Sequence, residues 1–302
     1  MNTIDAQRAA LDRLGDIAEA DRPLAPHTTY RLGGPAAVFA TPRSISDLEL
    51  VGVVARETGL AVLVVGRGSN LLVADEGFAG IAVSMAEMPE EIGFNDTCVT
   101  ASAIVALPVL ARKCSAAGLV GFEWAVGVPG SIGGAVRMNA GGHGSDMQAS
   151  LQGATIVDLH TGRTSWVEAA RLGLRFRGSD LADHQVVVDA TIGLQHGDIA
   201  ASEAMLSEIV RWRREHQPGG QNAGSVFVNP VPGELAAAQL IDGLGLRGFR
   251  IGGACVSEKH ANFIQAQPGA TAADVRAVIE HVRSEVHART GFLLRSEVRL
   301  VG

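Results

Sequence analysis

The chain has 302 residues, 47% of them hydrophobic and 19% charged, a composition that supports the buried cores of two or three domains. Its 25 lysines and arginines against 32 aspartates and glutamates leave a formal net charge of −7. That balance excludes a broad nucleic-acid or anionic-membrane surface, so an anionic ligand has to be held locally. The cysteines, Cys98, Cys114 and Cys255, are dispersed and form no CxxC, which argues against a disulfide framework or a zinc site, and no metal is expected. The N-terminal segment alternates charge with small apolar residues, unlike a signal peptide, and no apolar run is long enough to span a bilayer. A cytoplasmic protein without nucleic-acid or membrane partners is expected.

Residues 46–60 read as a helix, with Ser46 and Glu49 as a capping box and Leu48, Val51, Val54 and Ala55 at helical spacing. "AVLVVG" (61–66) follows as a buried strand, and "VVGRGSNLLV" (64–73) as a strand, a glycine turn and a second strand. The simpler reading of that turn is a hairpin. The alternative is an anion nest, with bare backbone at Gly66 and Gly68 and donors from Ser69 and Asn70. The spacing does not fit a Rossmann fingerprint. A helix is expected over 108–118. Next comes "GVPGSIGGAVRMNAGG" (127–142), a second glycine-rich segment where a ligand can press against backbone. Strands are predicted over 153–159 and 186–194.

Near residue 198 the texture changes and a domain boundary is expected. A helix carrying Leu206, Ile209 and Val210 runs to Pro218, with Arg211, Arg213 and Arg214 in its last turn. Residues 271–291 predict another helix, capped by Thr271 and Asp274, striped with Val275, Val278, Ile279, Val282 and Val286, and ended by Gly291. Two glycine loops of the same chemistry in a mixed α/β region favour a long diphosphate ligand. A dinucleotide held outside a Rossmann fold points to FAD in the vanillyl-alcohol-oxidase class.

In that context "TTYRLGGPA" (28–36), "GRGSNLLV", "GVPGSIGGAVRMNAGG", "NAGSVFVNP" (222–230), "VSEKHANFI" (256–264) and "SEVRLVG" (296–302) stand in order along nearly the whole chain. Together they resemble the UDP-N-acetylenolpyruvoylglucosamine reductase family, in its shorter subtype. The resemblance implies an α/β (α+β) fold: an FAD-binding fold of the vanillyl-alcohol-oxidase/PCMH type in two subdomains, plus a C-terminal α/β substrate-binding domain. The boundaries read as 1–74, 75–198 and 199–290, with 291–302 a strand returning to the FAD-binding part. It also implies a monomer that reduces UDP-N-acetylglucosamine enolpyruvate with NADPH through non-covalent FAD.

By the same resemblance the FAD contacts are Tyr30, Arg31, Gly33, Gly66, Arg67, Gly68, Ser69, Asn70, Leu71, Gly127, Val128, Pro129, Gly130, Ser131, Gly133, Gly134, Asn139, Gly141 and Val187. Ser225 is implied as proton donor. Arg177 is implied as the cation that meets developing carboxylate charge, and Glu297, protonated, as its assistant. Read alone, Ser225 is a turn hydroxyl, Arg177 one member of a basic cluster, and Glu297 a polar residue on an alternating strand. Arg213, Arg214, Gln217, Asn229, Gln239, His260 and Asn262 are the expected substrate contacts, and His260 reads equally well as a structural histidine. Two positions depart from the family pattern: Phe176 stands where tyrosine is usual, and Val228 where lysine is frequent. An oxidase of the same flavin fold is the second reading. It is disfavoured as a covalent flavoprotein because no Cys or His lies between Tyr30 and Gly80, and His143 is the only histidine of the second glycine segment. A non-catalytic flavin- or nucleotide-binding paralogue is the third.

Overall fold

The computed structural model describes residues 2–231 and 233–302, and the chain divides into two compact units. The first gathers the segment ending at Arg22 with Ala36–Arg67 and Ala79–Arg213; the second gathers Pro23–Pro35, Gly68–Phe78 and Arg214–Gly302.

The first unit is built around two larger sheets. Strands Ala18–Pro23, Pro35–Ala40, Phe78–Ser84 and Val62–Val65 form one, in that spatial order, with the last two parallel. Helices Thr3–Leu14 and Ile45–Thr58 cover it, burying Ala10, Leu14, Leu48, Val51 and Val54 with Val38, Ile81 and Val83. The second of these helices starts two residues earlier than the predicted box. Ser44, not Ser46, accepts from Asp47 N at 3.1 Å, and Asp47 reaches back to Arg43 N at 2.8 Å. Both serines offer a hydroxyl, but the carboxylate three residues beyond Ser44 is the one that reaches back to engage the backbone before the helix.

The other sheet is antiparallel, in the order Arg163–Glu168, Leu151–Asp158, Gln185–Gly193, Cys98–Ser102, Ile92–Asn95. Helices Leu107–Ala116, Ile132–Met138 and Ile199–His216 share its core through Leu110, Cys114, Ile132, Val136, Leu206 and Ile209. The helix expected to open a third domain therefore packs with the sheet before it. The texture change at 198 marks a new element, and the chain leaves this unit for the last time after Arg213.

In the second unit, strands Arg250–Ile251, Ala254–Val256 and Ile264–Ala266 form an antiparallel sheet. Helix Ala272–Thr290 covers it, with all five predicted stripe residues buried. Thr271 and Asp274 cap the helix reciprocally, and Gly291 ends it at φ +80°, where a glycine carries no Cβ penalty. The final strand Arg299–Val301 pairs in parallel with Leu71–Val73. The glycine turn after Val65 is consequently not a hairpin. Val62–Val65 pairs with Phe78–Ser84 in one unit, while Leu71–Val73 pairs with the C-terminal strand in the other.

Candidate active site

The two glycine segments approach each other within the first unit. A Cβ placed on exposed Gly66 would lie 3.2 Å from Ser131 Oγ. Ser131 precedes helix Ile132–Met138 in extended conformation, yet its hydroxyl does not cap that helix. Backbone N–H groups in the stretch are largely engaged by protein: Val128 donates to Ala125 O, Gly130 to Val128 O, Ile132 to Val105 O and Gly133 to Ala103 O, at 2.9–3.1 Å. Several glycines serve packing. A Cβ on Gly133 would stand 2.9 Å from Ala103 Cβ, and one on Gly141 2.6 Å from Asp146 Cβ. At Gly134, by contrast, an added Cβ would meet nothing within 4 Å. Gly66, exposed Arg67, Ser131 and open Gly134 thus remain as this unit's candidates for a diphosphate contact. Bare backbone, a hydroxyl and a guanidinium are the donor chemistry that FAD's diphosphate requires, so the residues fit the cofactor. Val187 is a buried core residue of the sheet, and Pro129 is exposed.

Gly127 seats a second cluster. A Cβ there would come 3.0 Å from Ile209 Cγ2 and 3.1 Å from both Arg213 Cδ and His143 Nε2. Burial and the Arg213 charge lower the His143 pKa, burial lowers that of Arg213, and Trp212 meets His143 edge-on at 5.2 Å. In the sequence His143 bears only on covalent flavin attachment. Its place near Arg213 beside Gly127 depends on the fold and leaves no local signal.

Arg177 occupies a two-residue turn closed by Arg175 and Gly178, which exchange hydrogen bonds at 2.9 and 3.1 Å. Its φ is +57°, an uncommon left-handed conformation for a residue with a side chain. The guanidinium carbon lies 5.1 Å from the ring centre of exposed Phe176. Asn139, nearly fully buried at the left-handed end of its helix, donates to Arg175 O at 3.2 Å and Asp146 Oδ2 at 3.0 Å, and accepts from Gln148 N at 2.8 Å. This expected cofactor residue is thus the strut between the glycine segment and the arginine turn.

In the second unit the fold pairs the segment that carries Ser225 with the segment that carries Glu297. Glu297 N donates to Val226 O at 2.7 Å, Phe227 and Ser296 form a β-bridge, and Val228 N donates to Arg295 O at 2.9 Å. Val228 is buried. Asn262 fastens the serine-bearing segment from its other side. Val226 N donates to Asn262 O and Phe227 N to Asn262 Oδ1, each at 2.9 Å, and Asn262 Nδ2 donates to Phe227 O at 2.8 Å. His260 Nδ1 accepts from Asn262 N at 3.2 Å, and burial first, then the charge of Arg247, lowers the His260 pKa. Asn229 and Gln239 accept from Ala237 N and Ala236 N, which starts helix Ala237–Gly243. The Gln217 side-chain oxygen is buried without a hydrogen-bond partner among the described residues. Exposed Arg214 gives its carbonyl to Lys259 Nζ.

Tyr30 is fully buried in this unit's core beside Val226 and Phe227, and burial pushes its phenol well above the ordinary range. Arg31 Nη1 donates to Pro26 O at 2.8 Å. Gly33 packs on Val73, Gly68 on the His27–Thr28 backbone, and Leu71 belongs to the parallel strand pair. Ser69 is half-buried, and the Asn70 amide donates to Glu297 O at 2.9 Å. A cleft of about 390 Å³ lies on this unit, lined by Arg250, Lys259, Gln265 and Gln267 among others. Arg250 stands on a strand of two residues and Lys259 in the loop between Ala254–Val256 and Ile264–Ala266, so neither carries a periodic signal in the sequence.

Known proteins match this arrangement over nearly its full length. Residues 36–168 match the FAD binding domain family, and residues 216–301 the UDP-N-acetylenolpyruvoylglucosamine reductase C-terminal domain family. The UDP-N-acetylenolpyruvoylglucosamine reductase of Heliobacterium modesticaldum is 44% identical over 93% of this chain and 89% of its own. That of Anoxybacillus flavithermus is 38% identical over 96% and 95%. The crystal structure of the Thermus caldophilus UDP-N-acetylenolpyruvylglucosamine reductase superposes with a TM-score of 0.80 at 30% identity, covering 94% of this chain and 98% of that one. The chain therefore belongs to the UDP-N-acetylenolpyruvoylglucosamine reductase family.

Proposed function

We propose that this protein reduces the enolpyruvyl group of UDP-N-acetylglucosamine enolpyruvate, yielding UDP-N-acetylmuramate for peptidoglycan synthesis, with NADPH as electron source and non-covalent FAD as cofactor. The observation that carries this reading is the pairing of the Ser225-bearing segment with the Glu297-bearing one, through the Glu297 N to Val226 O hydrogen bond of 2.7 Å. Gly66, Arg67, Ser131 and Gly134 hold the diphosphate of the cofactor. The reduced flavin, when bound, supplies a hydride to the terminal carbon of the enolpyruvyl double bond.

The residues manage what that addition creates. Negative charge spreads over the α-carbon and the carboxylate. The planar guanidinium of Arg177 and a protonated Glu297 meet that charge, the first as a cation and the second as a hydrogen-bond donor. Ser225 gives its hydroxyl proton to the α-carbon, which completes addition of H⁻ and H⁺ across the double bond. Serine is a weak acid, so the transfer depends on fixed geometry, and the Asn262 bonds to Phe227 provide that beside it. Phe176 supports Arg177 through its ring face and lacks the hydroxyl of the usual tyrosine.

Anaerobic stopped-flow absorbance separates the two half-reactions. Ser225→Ala should leave flavin reduction by NADPH intact and slow reoxidation by UDP-N-acetylglucosamine enolpyruvate about 10²-fold or more. Equal slowing of both halves would remove Ser225 from the proton transfer. Failure of the reduced wild-type protein to be reoxidised by the enolpyruvate would sink the whole reading.

A further inference from the structure

We propose that Asn70 is a positioning residue for Glu297, joining the Gly68–Asn70 turn to the acid that meets substrate charge. The proposal rests on the role given to Glu297 above. From sequence, Asn70 looks like one more donor in an anion nest; the geometry gives its side chain a different partner. Asn70 Nδ2 donates to Glu297 O at 2.9 Å, and Asn70 O accepts from Arg299 N at 2.9 Å. Leu71 lies opposite Arg299 at the start of the parallel ladder. The Asn70 side chain therefore adds one rung beyond the ladder's end, at the residue where the strand turns functional.

The peptide groups of Glu297 are consequently held on both sides. Its N–H donates to Val226 O, beside Ser225, and its C=O accepts from Asn70. Fixing both the N–H and the C=O sets the direction of the Cα–Cβ bond, and with it the line along which the carboxyl reaches substrate. Few side chains serve at position 70. Aspartate is isosteric but presents oxygen to the Glu297 carbonyl oxygen, alanine has no donor, and glutamine is one methylene too long for a rung of this length. The Gly68–Asn70 turn thus shares a residue with the acid's support.

The test is a double-mutant cycle on the flavin-loaded full chain. Asn70→Asp should keep flavin content, the flavin absorbance spectrum and the rate of reduction by NADPH. It should lower kcat for reoxidation by UDP-N-acetylglucosamine enolpyruvate about tenfold, as expected for loss of one geometry-setting hydrogen bond, with little change in KM. In combination with Glu297→Gln, the Asn70 change should add almost nothing to the slowing seen for Glu297→Gln alone. Fully additive slowing overturns the proposal, as does loss of flavin or an equal fall in both half-reactions, which would return the amide to the cofactor. Should Asn70→Asp fail to fold, Asn70→Ser replaces it in the same cycle, with the same readings. If Glu297→Gln itself reoxidises at the wild-type rate while Ser225→Ala does not, the assignment of Glu297 fails, and the positioning role falls with it.

Discussion

Asparagine side chains in this protein stand in for peptide groups where no strand is available to pair. Asn139 holds the turn that presents Arg177, Asn262 pairs with both the N–H and C=O of Phe227 beside Ser225, and Asn70 takes the carbonyl of Glu297. An amide suits this use because it carries one donor group and one acceptor, as a peptide does, at the end of a single methylene. Asn262 is itself held by His260, whose Nδ1 accepts from its N–H and so must be unprotonated. Burial, with Arg247 and His216 nearby, lowers the His260 pKa below its ordinary 6.5. A histidine that prefers neutrality in the fold contributes full stability above the unfolded pKa and loses it as pH falls through 6.5 toward the lower folded value. The thermal midpoint of the wild type should therefore fall between pH 7.5 and 5.5. His260→Gln, neutral throughout and still offering an acceptor, should show a shallower fall; an identical pH profile for the two would exclude His260 as a source of the loss.

Among the elements, helix Ala272–Thr290 shows how much a short local code can specify. Its first N–H groups are met from two directions. Thr271 Oγ1 accepts from Asp274 N at 3.0 Å, and the Asp75 carboxylate accepts from Ala272 N at 2.8 Å and Ala273 N at 2.9 Å. Asp274 in turn accepts from Gly253 N and Thr271 N, which hold its pKa below the usual carboxylate range. That contribution is present above the unfolded carboxylate pKa and is lost as pH falls through the lower folded value. Asp274→Ala should lower stability in urea at pH 7 by about 1 kcal/mol, and this difference should shrink under acid; a pH-independent difference would mean the charge is irrelevant.

This helix was legible in sequence because cap, stripe and terminal glycine all lie within it. Other elements were not. Ser46 and Ser44 offer the same hydroxyl, and only the reach of Asp47 back to Arg43 N distinguishes them. "GRGSN" has the composition of a hairpin turn, but composition says nothing about partners far along the chain, and here its flanking strands pair with Phe78–Ser84 and Arg299–Val301. The glycine-rich segments were found as segments, but the division of labour inside them depends on neighbours: Gly133 faces Ala103, while Gly134 faces open space. For the same reason four asparagines read as ligand contacts, Asn70, Asn139, Asn229 and Asn262, engage backbone.

At the scale of the whole molecule, the chain crosses between its two units five times, since each unit is assembled from three separate segments. Neither unit is a contiguous stretch, and a boundary sought as one point in the sequence misses this. The C-terminal segment from Arg214 carries Ser225 and Glu297, yet its core includes Tyr30 and Leu72, its last strand pairs with Leu71–Val73, and its longest helix is capped by Asp75. Expressed alone, residues 214–302 would lose a fully buried aromatic, the strand partner of Arg299–Val301, the amide on Glu297 and two bonds at a helix N-terminus. Stability of a small domain is a narrow difference between large terms, and losses of this kind exceed it. The fragment should therefore lack a cooperative unfolding transition by circular dichroism and show collapsed amide dispersion in NMR spectra. Adding residues 23–35 and 68–78 through short linkers should restore a cooperative transition. A fragment 214–302 that unfolds cooperatively on its own would show that the two inserted segments are attachments to this unit and not part of what makes it fold.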